Sequence, residues 1–193
     1  MQLDTQNPFV QTATGNRIAQ LAEIYRAIEQ EQRAFIESSL ACGKPLRCPA
    51  HCSSCCHGFM LDVLPVEADA IAWFLLTQAE PLIERFHSFS GGTAGRGPSP
   101  CPFHDPNRPG ANCLIYPVRP LVCRLFGFAA VLDKEGNPSF SLCRHMPIPS
   151  GLHQRYFTSD AIERTFGALP PVMSKMAMAV LALDPHHSGH RSS

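Results

Sequence analysis

The sequence has no excess of either charge, no long apolar run and no glycine-rich phosphate loop. Sixteen basic residues balance 16 acidic ones, which argues against a nucleic-acid-binding surface, usually strongly basic. No stretch of about 18 apolar residues is present, so no membrane span is expected. Residues 1–15 are polar and lack a basic start followed by an apolar run, so no signal peptide is expected either, and a cytoplasmic location follows as the expectation. Gly91, Gly92, Gly95 and Gly97 lack the strand–helix frame that would make them a phosphate cradle. No internal repeat is visible.

The chain does contain cysteine, nine in 193 residues. Hydrophobic residues make up 45%, enough for an ordinary core, so the cysteines are not needed to rescue a small scaffold. In a reducing compartment stable disulfides are rare, which leaves metal binding or redox chemistry as the better reading.

The apolar spacing predicts an amphipathic helix over 17–40, carried by Ile18, Leu21, Tyr25, Ile28 and Phe35. It reads as a packing helix, with a dimerising arm as the alternative. Further helices are expected over 66–78, 81–89, 159–168 and 171–183. A short strand is expected over 59–64, and a hairpin joining 125–132 to 139–142 about Lys134–Asn137. Segments 41–56 and 90–112 are rich in Gly, Pro and Ser and read as loops. The fold expected is mainly α-helical with a small β-hairpin, its helices wrapped round a loop-borne cysteine cluster. It comprises an N-terminal helical arm (1–40), a cysteine-cluster metal-binding domain (41–183) and a disordered tail (184–193). The tail holds His186, His187 and His190, which could at most bind a metal weakly.

Eight cysteines form two groups. One is Cys48, Cys52, Cys55 and Cys56; the other is Cys101, Cys113, Cys123 and Cys143; Cys42 stands apart. Thiolates two or three residues apart in a loop can converge on one soft cation. The small residues Ser53 and Ser54 let the backbone curl round the sulfurs, so that its amides can donate to them. Adjacent side chains, as at Cys55 and Cys56, point to opposite faces of a strand or about 100° apart on a helix. They fit corners of one mononuclear tetrahedron poorly, which favours more than one metal atom. Arg119 and Arg124 could neutralise a polythiolate centre and are candidate cofactor-binding residues, with ordinary surface charge as the alternative. His51, His57, His104 and His145 lie close to cysteines and read first as outer-sphere donors or exposed residues. Cys42 reads as a buried small apolar side chain. Cys48, Cys52 and Cys55 also have radical S-adenosylmethionine spacing. However, Ser54 stands where an aromatic residue usually precedes the last cysteine, and the strand–helix repeats of the associated barrel are missing.

The run Cys113-Leu114-Ile115-Tyr116, followed by Arg119-Pro120 and Cys123-Arg124-Leu125-Phe126, resembles the YkgJ-type cysteine-cluster family, the CxxCxxCC domain associated with zinc or iron chelation and with iron–sulfur proteins. The resemblance covers about 48–143. Cys52, Cys55, Cys56, Cys101, Cys113 and Cys123 match its motif. Cys48 is displaced by one residue, and Cys143 stands as the eighth cysteine without a sharp local motif. The resemblance implies an iron–sulfur or zinc centre and no settled activity. The number of thiolates and the Cys55–Cys56 pair point to an iron–sulfur or iron centre used in redox chemistry, electron transfer or cluster-assisted modification, with a protein substrate or redox partner. Flagellin lysine methylases carry a similar cluster. The alternative is a structural zinc module that presents a surface to another protein.

Overall fold

A computed structural model describes residues 8–50, 52–56, 62–78, 81–90, 101–105, 107–108 and 112–184. The fold is mainly helical, with a small antiparallel sheet. Six helices occur among the described residues: α1 (Ala13–Ala41), α2 (Pro65–Gln78), α3 (Pro81–Ser90), α4 (Leu121–Leu125), α5 (Ser159–Phe166) and α6 (Met173–Leu181). Residues 185–193 of the expected tail and the candidates His51, His57, His186, His187 and His190 lie outside the described residues, as do residues 59–61 of the expected strand. Asp62, Val63 and Leu64 are not extended into a strand.

α1 forms because its apolar residues recur on one stripe: Ile18, Leu21, Tyr25, Ile28 and Phe35 are all buried. Thr12 caps its start, its Oγ1 accepting from the Gly15 amide at 3.0 Å. Its end is closed by Gly43 at φ 68°; the Gly43 and Lys44 amides donate back to the Leu40 and Ser39 carbonyls. α2 begins with Pro65 in the first turn. The buried Glu67 accepts from the Leu64 amide at 2.9 Å, one half of a capping box.

The chain divides into two compact units. The first comprises Met1–Ala22 and Ala50–Pro120, the second Glu23–Pro49 and Leu121–Ser193. In the first, Phe74, Leu75, Phe103, Ile115 and Val118 make a core flanked by Ile71, Trp73, Cys101 and Cys113. Phe9 stacks on Trp73, and Arg17 pairs with Asp69 at 3.6 Å.

In the second unit, Phe35, Leu46, Phe140, Leu142, Met146, Phe157, Ile162 and Phe166 make a buried cluster. Phe166 meets Phe35, Phe140 and Phe157 edge to face, with centroids 5.0–5.8 Å apart, the arrangement that ring quadrupoles favour. The sheet runs β1 (Val131–Leu132), β2 (Pro138–Ser141), β3 (Tyr156–Thr158), all antiparallel. The turn between β1 and β2 is built by Asp133, whose Oδ1 accepts from the Glu135 and Asn137 amides, and by Gly136 at φ 84°.

The expected hairpin is therefore present and extended by a third strand. Its first strand begins at Val131 instead of Leu125, because Leu121, Arg124 and Leu125 bury themselves on α4 and Gly127, at φ 78°, turns the chain after it.

Candidate metal centre

All nine cysteines are thiols and none is in a disulfide. Cys52, Cys55, Cys56, Cys101 and Cys113 belong to the first unit; Cys42, Cys48, Cys123 and Cys143 belong to the second.

In the first unit, residues from both sequence groups meet. Ser53–Cys56 is a turn closed by the Cys56 amide on the Ser53 carbonyl at 2.8 Å, and the Cys56 carbonyl in turn accepts from the Cys101 amide at 2.8 Å. Cys101 opens its own turn, with the His104 amide on the Cys101 carbonyl at 3.0 Å; Cys113 opens another, with the Tyr116 amide on the Cys113 carbonyl at 3.3 Å. The two turns brace each other. His104 and Cys113 form an antiparallel bridge, and the Leu114 amide donates to the Phe103 carbonyl at 2.9 Å. Phe103 and Ile115 anchor them in the core. The amides of Phe103 and His104 point at the Cys101 sulfur, and that of Ile115 at the Cys113 sulfur. Successive turn amides of this kind form anion-binding concavities, as at iron–sulfur sites.

The electrostatics follow from this packing. The Cys56 thiol donates to Cys55. That bond, opposed by burial and helped by the Cys55 amide and the Arg119 charge, pulls Cys55 down to about 6. The same bond, with burial and the charges of Cys55, Cys101 and Cys113, pushes Cys56 far up. Burial raises Cys101 against the pull of the Phe103 amide, and the Cys55 charge adds to the rise. Burial also raises Cys113 against its Ile115 amide, with Cys101 and Cys55 adding and Arg119 subtracting. Four sulfurs and one guanidinium thus share a single electrostatic neighbourhood. Among the described residues, no three Cys, His, Asp or Glu side chains already form a coordination shell. Cys52 donates to Ser54 Oγ at 3.6 Å. Arg119 lies over the Tyr116 ring, 3.9 Å from its centroid. His104 is buried at the bridge.

In the second unit, Cys123 sits on α4 and Cys48 is exposed. Arg124 is buried, paired with Glu29 and stacked over Tyr25 at 3.9 Å, while its carbonyl accepts from Gln32. Cys143 opens a turn closed by the Met146 amide at 2.9 Å, the same backbone device used at Cys101 and Cys113. Its Cβ lies 3.3 Å from where a side chain at Gly127 would begin. His145 is exposed and accepts from Arg144 at 3.2 Å. Cys42 is exposed, not buried as its sequence suggests. It follows the last residue of α1 at the Gly43 turn, beyond the helix's buried stripe.

Spacing alone did not reveal the amide donors of Phe103, His104 and Ile115, or Arg155. The only advance signal for the amides was the small-residue and proline content around the cysteines.

A protein-family model, CxxCxxCC, "putative zinc- or iron-chelating domain", matches residues 47–144, half of the chain. No curated protein gives a significant match, and neither does any solved structure.

Proposed function

The chain belongs to the CxxCxxCC family of zinc- or iron-chelating domains, and on that premise we propose that it holds an iron–sulfur or iron centre used for redox or electron-transfer chemistry. The observation that carries this reading is the convergence of Cys55, Cys56, Cys101 and Cys113 in one neighbourhood with turn amides aimed at two of the sulfurs. The donor set fits a soft metal: all four thiols are partly buried, and Cys55 is already poised as a thiolate. Cys55 and Cys56, whose side chains are hydrogen-bonded to each other, have their sulfurs close enough to serve one ion or neighbouring atoms of a polynuclear centre. Amide donors to sulfur and nearby positive charge are the means by which a protein sets the potential of such a centre, and Arg119 supplies the charge. When bound, the group would supply one-electron chemistry. Cys52 is a further proposed ligand in the first unit, and Cys48, Cys123 and Cys143 are the proposed ligands carried by the second. A protein redox partner or substrate is the matching interaction.

A structural zinc module is the second reading. It is favoured by the braced turns at Cys101 and Cys113, since closed thiolate sites hold zinc without redox chemistry. Anaerobic purification with elemental analysis and ultraviolet–visible spectra separates the two. Iron with visible thiolate-to-iron absorption is expected. Stoichiometric zinc in a colourless protein would select the structural module, and a sample binding neither metal would overturn both.

A further inference from the structure

In the first unit, the turns at Cys101 and Cys113 brace one another through the bridge between His104 and Cys113. The turn at Cys143 has no such twin among the described residues, yet it has the same closing hydrogen bond. What holds it is Arg155. One guanidinium nitrogen, Nη1, donates to the Cys143 carbonyl at 2.7 Å and to the Met146 carbonyl at 3.0 Å. The two ends of the turn are thus tied to a single donor. The backbone of Arg155 is itself fixed, its carbonyl accepting from the Leu142 amide at 2.8 Å, next to the Ser141–Tyr156 pair of the sheet. Leu142 and Met146 on either side of the turn are 3% and 1% exposed. Cys143 is therefore held at the rim of the core between two sunken neighbours, with Gly127 behind it.

We infer that Arg155 is a positioning residue for Cys143, fixing the turn so that its sulfur is presented to metal. This rests on Cys143 being a ligand, as proposed above. A hydrogen bond from a charged donor contributes more than a neutral one, and partners just outside a metal's ligands typically change affinity 10- to 100-fold when removed.

The test is titration of the full-length, metal-free protein with cobalt(II) under anaerobic conditions. The near-ultraviolet thiolate-to-cobalt band is followed, with circular dichroism as the check of folding. Cys143→Ser should weaken the band and the affinity. Arg155→Ala should lower affinity by about tenfold or more, and Arg155→Lys should recover much of the loss. The double variant Arg155→Ala/Cys143→Ser should be no weaker than Cys143→Ser alone, because the arginine acts only through that cysteine. If Cys143→Ser binds cobalt like the wild type, the ligand reading of Cys143 fails and this inference with it. If Cys143→Ser weakens binding and Arg155→Ala does not, or if the two losses add, the inference alone is overturned. Should Arg155→Ala fail to fold, Arg155→Gln carries the test. An affinity between wild type and Cys143→Ser is expected, and wild-type affinity overturns the inference.

Discussion

The two compact units are stabilised by different means. In the second, eight buried residues form a continuous apolar core, with Phe166 ringed by three other phenylalanines. In the first, the described cluster of Phe74, Leu75, Phe103, Ile115 and Val118 has two cysteines, Cys101 and Cys113, packed at its edge. The expectation that follows is that the turns bearing Cys55, Cys101 and Cys113 gain more order from what their sulfurs bind than the phenylalanine cluster does. Metal binding is folding free energy wherever the site orders its own loops, so the contrast has measurable consequences.

The largest expected effect is removal of metal. Chelation should strip hydrogen-exchange protection from 52–56, 101–105 and 112–118, while 138–142 and 157–166 stay protected. Equal loss in both would break the comparison. Cys55→Ser or Cys113→Ser should act similarly, lowering stability by more than about 4 kcal/mol, or roughly 10 °C in the melting temperature. Cys42→Ser should leave metal content unchanged, which elemental analysis reads directly. Next in size is Phe166→Ala, which removes the hub of the aromatic cluster and should cost about 3–5 kcal/mol by chemical denaturation, with the spectrum of the bound metal unaltered. Smaller is a shift in reactivity. In metal-free protein, the rate of Cys55 alkylation should rise with pH about a midpoint near 6, because only the thiolate reacts. Cys56→Ala removes the main cause of that depression, so the midpoint should move up. An unmoved midpoint would show that the hydrogen bond does not set it. The smallest is Tyr116→Ala, which removes the ring under Arg119 and should cost about 0.5–1 kcal/mol in thermal unfolding, with Tyr116→Phe recovering it.

The helices were legible in the sequence because their signals are local. Ile18, Leu21, Tyr25, Ile28 and Phe35 recur at helical spacing and all are buried, and Pro65 marks the start of α2. The cysteines themselves were equally plain. β3 was not, since Tyr156–Thr158 is three residues long and exists by pairing with β2. α4 was not legible: the sequence reading places only Leu125 in the hairpin and 121–124 in no element, because five residues carry no usable period. The Cys101 and Cys113 turns join through a bridge between residues nine apart, and Arg155 reaches Cys143 across 12 positions. Both are tertiary facts with no local pattern to announce them. Cys42 was misjudged because cysteine is usually buried, whereas here it lies with the exposed Leu40 and Ala41 at the end of α1.

Proline stands directly after Cys101 and directly after Tyr116, inside or beside the two turns that present sulfur. A ring at those positions confines the empty chain to a few backbone shapes, the used one among them. Less disorder then has to be given up when an ion arrives, by about 0.4–1 kcal/mol for each well-placed ring. The loop is therefore shaped in advance, and its grip on metal owes something to states it never visits.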